Sequence, residues 1–143
     1  MTLQIADVIA TFDMLDAWED RYRYLIEMGR SLAPLSDDER NEDNRVRGCA
    51  SQVWVVTTLT QAPDGTPLLA FRGDSDAHIV KGLVALVLSF YDKKTPQEVL
   101  SGDVMGLFKQ LELSEHLTPQ RSNGVRSMVE RIRRDAAGAL AAQ

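Results

Sequence analysis

The chain holds a single cysteine and two histidines in 143 residues, and that scarcity removes whole classes of chemistry. One thiol cannot close an intrachain disulfide, so nothing points to an oxidising compartment, and a lone free thiol suits a reducing cytoplasm. A structural zinc wants four protein ligands and an iron–sulfur cluster typically four thiolates or imidazoles. The chain is therefore no self-sufficient cluster scaffold, and no metal site is expected. Basic charge is also short, since 16 Lys and Arg against 21 Asp and Glu leave a formal net charge of -5. A nucleic-acid partner would call for a basic face instead. There is no glycine-rich phosphate loop, no repeat and no low-complexity segment. The N-terminal run Met1-Thr2-Leu3-Gln4-Ile5-Ala6-Asp7 has neither a basic region nor an unbroken apolar stretch. Neither a leader nor a membrane segment is expected from it.

What is present is enough for one core. Hydrophobic residues make up 44% of the chain, and its length reads as a single domain over residues 1–143. Ile5, Val8, Ile9 and Phe12 keep the spacing of one helix face, which ends near Met14. In a second helix, capped by Asp16, Trp18, Tyr22, Leu25, Ile26 and Gly29 oppose Glu19, Asp20, Arg23, Glu27 and Arg30. Its aromatic stripe reads as packing. Pro34 stops that helix, and Pro34 to Asn44 is a charge-dense surface connection, read as a mobile lead-in to the cysteine.

Val53 to Thr60 is β-branched and strand-like, Pro63-Asp64-Gly65 is a turn, and Leu68 to Arg72 is a second strand, so the pair forms an antiparallel hairpin. Gly73-Asp74-Ser75-Asp76 is expected to end the hairpin and to cap, through Asp74 or Ser75, a helix apolar around most of its circumference up to Tyr91. Thr95-Pro96-Gln97-Glu98 spells a capping box, Asp103 caps another short helix, and Thr118-Pro119 opens the last. The sum is an α+β fold, a small antiparallel β-sheet packed against several helices, with room for a third strand that the pattern does not place.

The chain is organised around Arg47-Gly48-Cys49-Ala50-Ser51-Gln52. A buried lone cysteine is usually inert. Here Gly48 on one side and Ser51-Gln52 on the other describe a loop that presents its side chain. Arg45, Arg47 and the amides of the turn are of the kind that lowers a thiol pKa. His78 and His116 lie in no protease-like context, and His78 stays outside the candidate site. Arg121 sits in a first helical turn, where a cation gains nothing from the helix dipole, so a specific partner is expected for it.

The run from Val46 to Trp54 resembles the cysteine motif of the SufE family, the sulfur-accepting partners of cysteine desulfurases in iron–sulfur cluster assembly. Three further blocks agree in order: Trp18-Glu19 through Glu27, Gly73-Asp74-Ser75-Asp76-Ala77 leading to Gly82-Leu83, and His116-Leu117-Thr118-Pro119 with Arg121-Ser122-Asn123-Gly124. Ala50 departs from the motif, which usually has a polar residue after the cysteine. The resemblance implies a SufE and iron–sulfur-scaffold-like fold and a Cys49 that accepts sulfane sulfur as a persulfide. It also implies supporting roles for Gly48, Ser51, Gln52, Asp76 and Arg121, the last two positioning the loop. The implied partners are a cysteine desulfurase carrying its own pyridoxal phosphate and an iron–sulfur scaffold protein. This chain would then bind no cofactor and work in the cytoplasm as a monomer or weak homodimer. Two other readings stay open: a docking module that activates a desulfurase without carrying sulfur, and a domain whose cysteine is structural.

Overall fold

The computed structural model describes residues 4–142; Met1, Thr2 and Leu3, part of the stretch read above for a leader, lie outside the described residues with Gln143. Nine elements follow one another among the described residues. Two helices, α1 (Ile5–Met14) and α2 (Trp18–Arg30), lead to the hairpin of β1 (Val53–Gln61) and β2 (Pro67–Ser75). Five more come after it, α3 (His78–Tyr91), α4 (Pro96–Ser101), α5 (Val104–Gln110), α6 (Leu113–His116) and α7 (Pro119–Ala141).

The apolar character of α3 explains its place. Eight of its residues, from Gly82 to Leu88 and Tyr91, are buried, and it packs against α2, β2 and α7. The crossing with α2 is close enough that a Cβ on Gly82 would lie 2.1 Å from the Leu25 carbonyl oxygen. Only glycine fits there.

In the hairpin, Val53 pairs with Ser75, Thr57 with Phe71 and Gln61 with Pro67. No full third strand is added among the described residues. Instead, Asn44–Val46 makes one bridge to β1, with Val46 N–H to Val53 and Val55 N–H to Asn44 both at 2.8 Å. Lys94 makes a second bridge, to β2 at Leu69.

Local chemistry sets several boundaries as expected. Thr95 and Glu98 form the capping box of α4, Asp103 accepts from the Gly106 amide, and Thr118 accepts from the Arg121 amide. Other expectations are corrected. The caps of α2 and α3 are Ala17 and Ala77, without a side-chain hydrogen bond, so neither Asp16 nor Asp74 nor Ser75 caps a helix. Gly73, Asp74 and Ser75 continue β2, because their partners Val55, Trp54 and Val53 extend β1 to the same level.

Asp74 has another task. It is 5% exposed, takes Arg40 and Lys81 at 3.4 Å each and accepts the Ser75 amide at 2.8 Å. The segment read as mobile is pinned through it, since Arg40 belongs to that segment. Glu39 beside it pairs with Arg72, whose hydrogen bond holds the Glu39 carboxyl down at about 2. Leu35 and Val46 at either end are buried. Cys49 is therefore approached along an anchored strap.

Candidate functional site: a thiol turned into a cavity

Both legs of the cysteine loop are fixed. On the incoming side Val46 is buried, and the Arg131 guanidinium of α7 donates to the Arg45 carbonyl at 3.5 Å. Gly48 turns the chain with φ +87, a backbone state that disfavours side chains, and it lies so near α7 that an added Cβ would meet Ser127 Oγ at 2.6 Å. On the outgoing side the Gln52 amide donates to Asp76 Oδ1 at 3.0 Å. The Gln52 carbonyl accepts from Ser75 Oγ at 2.8 Å and from the Asp76 amide at 3.3 Å.

Between these anchors Cys49 points inward. Its Sγ donates to the Gly124 carbonyl of α7 at 3.5 Å, and the side chain is partly buried. It lines a cavity of about 230 Å³ with a floor of Val80 and Leu83 from α3 and Val125 and Met128 from α7; Thr118 and Arg121 also border it.

The electrostatics differ from the sequence expectation. Arg47 turns to Glu42 at 3.0 Å and Arg45 reaches the same carboxylate at 3.8 Å. Burial pushes the Cys49 thiol above its ordinary pKa, and the opposing charge of Arg45 does not cancel it. The resting site holds a neutral thiol at pH 7.

Of the supporting residues, Gly48, Gln52 and Asp76 converge on the loop, and Ser51 lines the cavity. Arg121 lines the cavity too. Asp76 meets the loop through the Gln52 amide, and no Arg121–Asp76 ion pair occurs among the described residues. Among the described residues the Arg121 guanidinium makes no hydrogen bond or ion pair. Its amide, not its charge, serves the Thr118 cap.

From sequence, Ser127 and Arg131 have no place at the site, Gly124 stands only within a motif block, and Ser75 only within another such block and as a helix cap. The one available signal is the helical spacing of Gln120, Gly124, Ser127 and Arg131, which puts two small residues on the face of α7 that meets the loop. His116 lies elsewhere, stacked on Trp18 with ring centroids 3.6 Å apart. That stack and Tyr22 Oη, which donates to the His116 carbonyl, fasten α2 to α6, so the aromatic face does pack. No group of three His, Cys, Asp or Glu side chains placed to hold a metal ion occurs among the described residues. Nor is any helix there long and apolar enough to cross a membrane.

Comparison with known proteins bears on the family and the fold. The fold is similar to the solution structure of a hypothetical protein from Thermus thermophilus, with a TM-score of 0.70 at 24% identity over 96% of both chains. A SufE-like protein of Rhizobium etli is 51% identical over 129 residues, 90% of this chain and 86% of that one. One from Rhizobium meliloti is 49% identical over 135 residues, 94% of this chain and 96% of the other. The family model described as SufE, an Fe-S metabolism associated domain, matches residues 6–136. The chain that carries Cys49 over this cavity belongs to the SufE family.

Proposed function

We propose that this chain accepts sulfane sulfur on Cys49 from a pyridoxal-phosphate-dependent cysteine desulfurase and passes it to an iron–sulfur scaffold protein, stimulating the desulfurase as it does so. It works as one domain in the cytoplasm, as a monomer or weak homodimer, and the cofactor stays on the desulfurase. The observation that carries this reading is the chain's only thiol, held in a loop pinned at both ends and facing a mostly apolar cavity. Family membership in Fe-S metabolism supports it.

The chemistry needs nothing but the thiol. Cys49 loses its proton, its sulfur attacks the outer sulfur of the donor persulfide, and the inner sulfur leaves as a thiolate that takes a proton. One S–S bond breaks as another forms, with no net oxidation. Asp76, Gln52 and Gly48 set the loop's rest position. A protein donor draws Cys49 outward, which costs the Gly124 contact and re-solvates the sulfur, lowering its pKa at the moment of attack.

The inward, neutral thiol is also what a docking module with no sulfur cargo would show. A Cys49→Ser variant separates the two. Under the relay reading it binds the desulfurase, carries no sulfur and loses most of the stimulation; full stimulation by the variant would establish the docking module.

A further inference from the structure

We propose that the cavity beside Cys49 binds a small, amino-acid-sized persulfide bearing a carboxylate, with Arg121 receiving the carboxylate and Cys49 taking the outer sulfur. This rests on Cys49 being a sulfur acceptor, and it adds a donor that needs no protein.

Three features of the cavity point the same way. The thiol faces the cavity with the loop in its rest position, so a small molecule entering the cavity meets the sulfur without loop movement. Among the described residues, Arg121 is the one charged side chain of the lining. Its guanidinium makes no hydrogen bond or ion pair among them. Beneath it, Val80, Leu83, Val125 and Met128 give an apolar floor that suits the weakly hydrated sulfur and methylene portion of a ligand.

Size narrows the class. At about 230 Å³ the cavity falls below the ~300–1,000 Å³ of drug-sized sites. It accommodates an amino acid with one added sulfur and does not enclose a tripeptide. Anchoring the carboxylate at Arg121 orients the sulfur end toward Cys49, so contact far from the reacting atoms contributes to the rate.

The step balances as R–S–SH plus Cys49–SH giving R–SH plus Cys49–S–SH. The Cys49 sulfur bonds to the outer sulfur, the original S–S bond breaks, and the departing thiolate takes the proton that Cys49 lost.

The test times Cys49 persulfide formation by mass spectrometry with three donors, the hydropersulfides of cysteine, of glutathione and of neutral 2-mercaptoethanol. Each rate is divided by the same donor's rate with the urea-unfolded chain, which removes intrinsic reactivity. The expected result is a normalised cysteine-persulfide rate about 10-fold above the neutral donor's, with glutathione persulfide not exceeding the neutral one. In Arg121→Gln the cysteine-to-neutral ratio falls to about one, and Arg121→Lys restores part of it. A wild-type ratio near one, an unchanged ratio in Arg121→Gln, or glutathione persulfide as the best donor would overturn the proposal. A parallel reaction with a cysteine desulfurase keeps the two claims apart. Persulfide from the desulfurase with no donor preference removes this inference alone, while no persulfide from any donor removes the acceptor reading beneath it.

Discussion

Asp76 and Gln52 hold each other twice, through the Gln52 amide on Asp76 Oδ1 at 3.0 Å and the Asp76 amide on the Gln52 carbonyl at 3.3 Å. The pair ties the approach to α3 to the root of β1, three residues beyond Cys49. A surface carboxylate thereby fixes where the thiol rests.

Asp76→Ala removes one of those bonds. Its cost is small because the carboxylate is exposed, about 1 kcal/mol of loop stability. Alkylation of Cys49 by iodoacetamide should speed up about 5-fold at constant pH, with little change in the global unfolding midpoint. Asp76→Asn keeps an acceptor and should fall between the two.

Gly48→Ala introduces two separate penalties, the left-handed backbone at φ +87 and the approach to Ser127 Oγ. The backbone penalty is about 1–2 kcal/mol. Adding Ser127→Ala removes the nearest atom and leaves only the Ser127 Cβ, at 3.4 Å. Urea unfolding should show the double variant recovering the steric part and not the backbone part.

The burial that raises the Cys49 pKa has a signed consequence. The folded state holds the thiol proton more tightly than the unfolded state does. The stability it contributes is therefore fully present below the ordinary thiol pKa of about 8.5 and is lost as pH rises through the folded value. The pH profile of alkylation should have its midpoint higher in the native protein than in the urea-unfolded chain. A native midpoint below the unfolded one would show a thiolate-stabilising loop instead.

Asp74→Asn should destabilise the fold by about 2 kcal/mol. The buried carboxylate serves Arg40 and Lys81 together, and both cations keep partial access to water, which reduces the cost below that of a fully buried pair. Hydrogen exchange should quicken in residues 36–44 before it does in α3, because Arg40 fastens that segment.

How much of this was legible in the sequence depends on the range of each interaction. Caps at Thr95, Asp103 and Thr118 are local and were readable, as were the hairpin and the buried α3. Asp74 has the look of a cap because capping chemistry is local, but pairing with Trp54 makes it a strand residue, and Arg40, 34 residues away, takes its carboxylate. The same long-range pairing turned a charge-rich connection into an anchored strap. The four-residue α6 follows Glu112 at φ +63, a conformation that an ordinary residue does not advertise. At the site, Cys49 and its loop were readable from the motif. The cavity was not, since α3 and α7 meet there only through tertiary packing, which also brings Arg121 to its lining.

Sulfur relay through Cys49 is tested most directly by intact-protein mass spectrometry of the chain after incubation with a cysteine desulfurase, pyridoxal phosphate and free cysteine, beside Cys49→Ser. The expected result is a gain of one or more sulfur atoms, reversed by reductant and absent in the variant. No gain while the desulfurase turns over, or an equal gain in Cys49→Ser, would contradict it.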